Sequence, residues 1–335
     1  MKCAVVKSAN EPFVFENRSL PTPGKGELLV KVIACGVCHS DKLVAGALWP
    51  GLKLPRVPGH EIAGIVEEMG EGVTQFSKGD RVGLGWHGGH DGTCPACLQG
   101  KYVHCQNQSI TGISIDGGYS EYVVASATAF ARIPDGMDFA AAAPLLCAGV
   151  TTFNALRNSP ARPGDVVAIQ GLGGLGHLGV QFARAMGFYT VAVSRGPDKR
   201  KLSEELGAHQ YIDAASQNIG ELLGKVGGAK VILATAPNAG AISALVPGLG
   251  LDGQLLIVAA PFEPISVSAI DLIMRNGSIK GWASGSGQDS TDTMRFAKLH
   301  NLKPMIEEFP LQQAQKAYEH MMSGKVRFRS VIRMN

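Results

Sequence analysis

The tightest constraint on this 335-residue chain is the run Gly171-Leu172-Gly173-Gly174-Leu175-Gly176. It is set between an apolar segment, Val166-Val167-Ala168-Ile169, and a helix-like stretch from Leu178 to Met186. Gly171 permits a tight turn, Gly173 lets the backbone approach a pyrophosphate, and Gly176 lets helix and strand pack closely. The amino end of the helix then offers unpaired N–H groups and the positive end of its dipole to phosphate. Such a triplet alone is a weak signal, and its plain alternative is a tight strand–helix turn. A strand before it and a helix after it make it strong. The alternation continues through a strand at 190–193, a helix at 199–206, and apolar runs at 211–212, 231–234 and 255–258. This rhythm predicts an α/β fold with a doubly wound parallel sheet and right-handed crossovers.

The chain up to about Thr151 reads differently. Segments 27–33, 62–66 and 119–124 are short and β-branched, with Gly or Pro between them, and predict a β-rich barrel or sandwich. The Ala-rich stretch Phe139–Cys147 favours helix, which Pro144 should kink or restart. The last fifty or so residues are polar and mixed, and are expected to fold back onto the first domain or the sheet edge. Glycine, 43 residues of the 335, is dispersed without a fixed period, which excludes collagen and repeat architectures.

The formal charge of +3 is not gathered into a basic run, so nucleic acid is not expected as a partner. No stretch approaches the roughly 20 apolar residues of a membrane helix. The start, Met1-Lys2-Cys3-Ala4-Val5-Val6-Lys7, is too short and too soon polar for a secretory signal, so the expected setting is cytoplasmic. In that setting seven cysteines read as metal ligands or free thiols before disulfides.

Two clusters stand out. Cys38-His39-Ser40-Asp41, Gly59-His60-Glu61 and Cys147 supply two thiolates and an imidazole from separate segments. Together these fit an open three-ligand zinc site whose fourth position is left to water or substrate. Taken singly, each has a dull explanation as a buried thiol or a core histidine, and Cys3 and Cys35 are read that way. The second cluster is Asp91-Gly92-Thr93-Cys94-Pro95-Ala96-Cys97 with Cys105. Its spacing suits a closed zinc site that pins a loop, with Asp91 as the fourth ligand, or His87 or His90 in its place.

The glycine turn implies a nicotinamide cofactor. One without a 2′-phosphate usually meets an acid at the end of the second strand. Here that strand ends Val193-Ser194-Arg195-Gly196. Ser194 offers a hydroxyl, and Arg195 with Lys199 or Arg200 can pair with a phosphate dianion, so NADP is expected over NAD. The bland alternative is a solvated basic loop in which Asp198 reaches a ribose.

These features, in this order and nearly end to end, resemble the zinc-dependent alcohol dehydrogenases of the medium-chain dehydrogenase/reductase superfamily. The resemblance implies a GroES-like catalytic domain over 1–150 and 286–335 and a Rossmann nucleotide-binding domain over 151–285. It further implies a cleft between the domains, and homodimers or homotetramers built through the nucleotide-binding sheets.

By the same resemblance, Cys38, His60 and Cys147 hold a catalytic zinc, Glu61 approaches the metal, and Asp41 orients His60. Ser40 stands beside the reacting oxygen, Thr151 touches the nicotinamide, and Arg329 meets the pyrophosphate. Trp49 and Trp86 line the substrate pocket, whose bulk favours small primary alcohols and their aldehydes. Two departures matter. Asp91 replaces the usual first cysteine of the structural site. Leu43 stands where many relatives carry a proton-passing histidine, which leaves proton release to Ser40, the cofactor ribose and water, or to His39. The competing readings are a zinc-free quinone or enoyl reductase of the same superfamily, and a non-catalytic dinucleotide-binding protein. The first has little use for the Cys38, His60 and Cys147 trio, and the second expects it to be broken.

Overall fold

The computed structural model describes residues 1–334. The chain divides into two compact units, Met1–Val150 with the residues from Ser284 onward, and Thr151–Ala283.

The first unit is built on a curved sheet in the order Ile306–Pro310, Arg329–Arg333, Glu27–Gly36, Ile62–Met69, Arg81–Leu84, Phe130–Arg132. Tyr122–Ser126 pairs separately with Glu27–Gly36. The long strand Glu27–Gly36 alternates apolar side chains into a core that holds Leu28, Val30, Val32, Ile62, Val82 and Leu84. Its far end receives the C-terminal strand antiparallel, with Val331 opposite Gly36 and Ile332 opposite Cys35. The last residues therefore lie beside the segment that carries Cys38.

One sequence expectation is corrected. Residues 119–124 do not form one strand, because the strand begins at Tyr122. Before it the chain turns inward, Tyr119 N donates to Pro58 O at 3.0 Å, and the Tyr119 ring is fully buried. The Ala-rich stretch does break at Pro144: an α-helix over Phe139–Ala142, capped by Asp138, passes into a 3₁₀ turn over Ala143–Leu146.

The second unit is a six-stranded, wholly parallel sheet. Its order is Gln210–Asp213, Tyr189–Ser194, Val166–Gln170, Ala229–Ala234, Leu249–Ile257, Ser278–Gly281. Numbered along this unit the strands run 3-2-1-4-5-6, the doubly wound order in which dinucleotides bind where the direction of winding reverses. The inner strands are continuous apolar runs because helices cover both faces of such a sheet. Among the described residues no single helix is long and apolar enough to cross a membrane.

Candidate active site and metal centres

Three elements of the first unit converge on one point. Cys38 follows the strand Glu27–Gly36 and opens a 3₁₀ turn over His39–Asp41, where its N–H donates to Asp41 Oδ2 at 2.9 Å. His60 and Glu61 immediately precede the strand Ile62–Met69. Cys147 ends the 3₁₀ turn over Ala143–Leu146. Ligand atoms of Cys38, His60, Glu61 and Cys147 all lie within 4.8 Å of one another.

The donor set fits zinc. Cys38 Sγ stands 3.8 Å from Cys147 Sγ. Zinc–sulfur bonds of about 2.3 Å at tetrahedral angles place two thiolates roughly that far apart. His60 Nδ1 faces Asp41 Oδ1 at 3.2 Å, a short but bent contact. His60 Nε2 is buried with no hydrogen-bond partner among the described residues, as is Glu61 Oε2. Orphaned buried acceptors are costly unless a ligand satisfies them. The hydrogen bond with Cys147 holds the Cys38 thiol well below its usual pKa, with His60 and Arg329 adding to the effect. The same contact and burial push Cys147 up.

Glu61 is fully buried, and burial pushes its pKa up to about 8 against the pull of Arg329. Its carboxylate lies so close over Gly36 that a Cβ there would stand 1.9 Å from Oε2. Arg329, expected at a pyrophosphate, is buried and donates through Nη2 to Glu61 Oε1. Trp86 presents its ring edge-on to His60 with centroids 5.1 Å apart, and Trp49 packs against Trp86 at 5.7 Å. His39 is exposed, while Ser40 and Leu43 are half-buried.

The second cluster gathers Asp91, Cys94, Cys97 and Cys105, again with ligand atoms within 4.8 Å of one another. Cys94 Sγ and Cys105 Sγ are 3.9 Å apart, and Cys105 Sγ accepts from Asp91 N and Asn107 N. Asp91 Oδ1 accepts from Thr93 N and Cys94 N, and Oδ2 from Asn107 Nδ2. The Cys94 N–H leads in holding this carboxyl well below the usual range, so it is an anion at neutral pH. His87 and His90, the alternative fourth ligands, are instead engaged with each other, His87 Nε2 and His90 Nδ1 being 3.2 Å apart. Cys3 and Cys35 are fully buried and belong to neither cluster.

In the second unit, Gly171 has a φ of +92° and closes the turn after Val166–Gln170. A Cβ on Gly176 would stand 1.6 Å from Gly171 O, whereas one on Gly173 would meet nothing within 4 Å. Gly174 and Leu175 complete the turn, and the helix Gly176–Ala185 follows. Across the sheet, Thr235 Oγ1 donates to Gln170 O at 2.7 Å and Ala236 N donates to Gln170 Oε1 at 3.2 Å. Sequence reading missed this latch, because nothing local marks Thr235 as the neighbour of a turn 64 residues earlier.

At the end of the second strand Ser194 is buried and Arg195 exposed. Asp213, opposite Ser194 on the next strand, accepts from Gly196 N, Ala215 N and Ser216 Oγ. Lys199 Nζ donates to Leu172 O at 3.1 Å, turned toward the glycine turn. Thr151 is buried in the opening turns of the helix Ala148–Arg157.

Comparison with known proteins agrees with this geometry. Residues 24–135 match the alcohol dehydrogenase GroES-like domain, and residues 174–299 match the zinc-binding dehydrogenase domain. An alcohol dehydrogenase from Aspergillus sp. (strain MF297-2) is 46% identical, with 100% of this chain and 98% of the relative covered. This chain belongs to the zinc-dependent alcohol dehydrogenases of the medium-chain superfamily. Among solved alcohol dehydrogenase structures, the Sorghum bicolor cinnamyl alcohol dehydrogenase superposes with a TM-score of 0.90 at 30% identity, covering 99% of this chain and 97% of that one. The Helicobacter pylori enzyme complexed with NADP(H) gives 0.88 at 28% identity, with the same coverages. As an alcohol dehydrogenase, the protein is an enzyme that interconverts alcohols with aldehydes or ketones, using zinc and a nicotinamide cofactor. Its fold combines the GroES-like and Rossmann domains that the resemblance implied.

Proposed function

We propose that Cys38, His60 and Cys147 hold the catalytic zinc, and that the enzyme acts on small primary alcohols and their aldehydes with NADP preferred. The observation that carries the zinc assignment is the 3.8 Å separation of the two sulfurs beside the orphaned His60 Nε2. When bound, zinc lowers the pKa of an alcohol oxygen or polarises a carbonyl, and the nicotinamide exchanges hydride with the neighbouring carbon. Asp41 fixes the tautomer and plane of His60. Glu61, tethered to Arg329, keeps a second carboxylate within reach of the metal site. Ser40 accepts the alcohol proton's hydrogen bond. With apolar Leu43 nearby in the chain, the proton leaves through the cofactor ribose and water or through His39. Trp86, edge-on to His60, and Trp49 packed against Trp86 make a bulky apolar wall that favours small primary alcohols over polyols. Asp91, Cys94, Cys97 and Cys105 hold a second zinc that pins the lobe formed by residues 91–105.

The NADP preference is supported by the exposed Arg195 beside Ser194, and by Asp213, opposite Ser194, being engaged by the Gly196 and Ala215 N–H groups. The complex of the Helicobacter pylori relative with NADP(H) points the same way. Comparing kcat/KM with the two cofactors tests it. NADP should be favoured, and Arg195→Ala should lower its efficiency roughly 10–100-fold, the worth of one charge-assisted pair. Efficiency with NAD should barely change. A wild type that prefers NAD overturns the assignment.

Association through the nucleotide-binding sheet, as a homodimer or a homotetramer, is supported by its edge. Among the described residues Ser278–Gly281 pairs on one side only, and Ile270, Ile273 and Met274, just before it in the chain, are largely exposed.

A further inference from the structure

We infer that Tyr119 is a positioning residue for the catalytic metal, acting on His60 through Asp41; the inference rests on the zinc assignment above. Tyr119 lies 78 residues from Asp41 in sequence, yet its hydroxyl donates to Asp41 Oδ2 at 2.8 Å. The same oxygen accepts from Cys38 N at 2.9 Å. Two donors from different elements therefore hold Oδ2, which leaves Oδ1, with no hydrogen bond among the described residues, in a bent contact 3.2 Å from His60 Nδ1. Every member of this relay is buried: Asp41 is 1% exposed, His60 2% and Tyr119 0%.

The relay fixes which nitrogen of His60 faces the metal. A carboxylate on Nδ1 selects the tautomer in which Nδ1 carries the proton and Nε2 holds the free lone pair. An Asp41 released on one side can rotate, and the imidazole loses its fixed plane. The slot for Tyr119 is built around the ring. A Cβ on Gly59 would lie 2.5 Å from Tyr119 Cδ1 and 2.9 Å from Cys35 Sγ. Gly59, immediately before His60, is thus the residue whose missing side chain admits the phenol. Phe13 closes the slot with an edge-on ring contact at 5.9 Å. Removing only the hydroxyl leaves this packing intact.

The test is zinc transfer from the purified holoenzyme to a colorimetric chelator, in wild type and Tyr119→Phe. The release phase missing in Cys38→Ser is assigned to the catalytic site. Tyr119→Phe should bind that zinc about 10–100-fold more weakly, the usual effect of losing an outer partner of a metal-binding histidine. The lobe phase should stay where it was. In an Asp41→Asn background the same change should have no further effect, because the cycle isolates the Tyr119–Asp41 coupling. The cobalt-substituted Tyr119→Phe enzyme should also show a shifted visible absorption band. Unchanged affinity and spectrum in Tyr119→Phe overturn the inference, as does equal weakening of both zinc phases, which marks a merely structural role. A wild type with no Cys38-dependent zinc overturns the metal assignment itself.

Discussion

At the scale of single residues, the candidate metal cluster was legible because metal chemistry restricts ligand type. Cys38, His60 and Cys147 could be picked out as sulfur and nitrogen donors in separate segments, and the structure brings their ligand atoms within 4.8 Å. The contacts that Arg329 and Tyr119 make around them were not legible, because they depend on the fold. Arg329 reaches Glu61 from 268 positions away, and Tyr119 was read as part of a strand.

His87 is another such residue, and it carries a pH prediction. Burial, with a smaller contribution from His90, lowers its pKa from 6.5 to about 4, opposed weakly by Asp289. The folded state thus keeps His87 neutral in a range where the unfolded chain protonates it. Below pH about 6.5 the unfolded state binds the extra proton, so stability falls as pH drops toward about 4 and is unaffected above that window. A shift of this size corresponds to roughly 3 kcal/mol at the low end. Denaturant unfolding from pH 7 to 4.5 should show a smaller acid loss in His87→Gln than in wild type. Parallel curves for the two proteins would rule this origin out.

At the scale of elements, the second unit was the easier to read. Its inner strands are apolar on both faces, and runs such as Val166–Gln170 and Ala229–Ala234 stand out against their polar surroundings. The first unit was read only as β-rich, since irregular strands and turns leave pairing to long-range register; the place of Arg329–Arg333 beside Glu27–Gly36 has no local signal. The edge strand Ser278–Gly281 makes a prediction of its own. A strand edge unpaired among the described residues, preceded in the chain by exposed apolar side chains, is a ready surface for a second copy. Ile273 is 72% exposed in the single chain. Sedimentation at micromolar concentration should find wild type associated and Ile273→Glu shifted toward monomer with its secondary structure unchanged. A monomeric wild type would show that this edge is capped in another way.

For the whole molecule, one chain brings together two candidate metal clusters and a glycine turn. The cluster of Cys38, His60, Glu61 and Cys147 holds a buried His60 Nε2 and Glu61 Oε2 with no hydrogen-bond partner among the described residues, while the cluster of Asp91, Cys94, Cys97 and Cys105 engages its carboxylate with Thr93, Cys94 and Asn107. The first arrangement suits chemistry and the second suits a fixed loop. The account therefore stands or falls on zinc at the first set. Zinc per chain, measured by mass spectrometry on wild type and Cys38→Ala alongside turnover and circular dichroism, decides it. Two equivalents should fall to one, with the fold kept and activity down by about 10³-fold or more, as expected when several kcal/mol of charge stabilisation are lost. A wild type free of zinc, or a Cys38→Ala enzyme that still turns over at the wild-type rate, would contradict it.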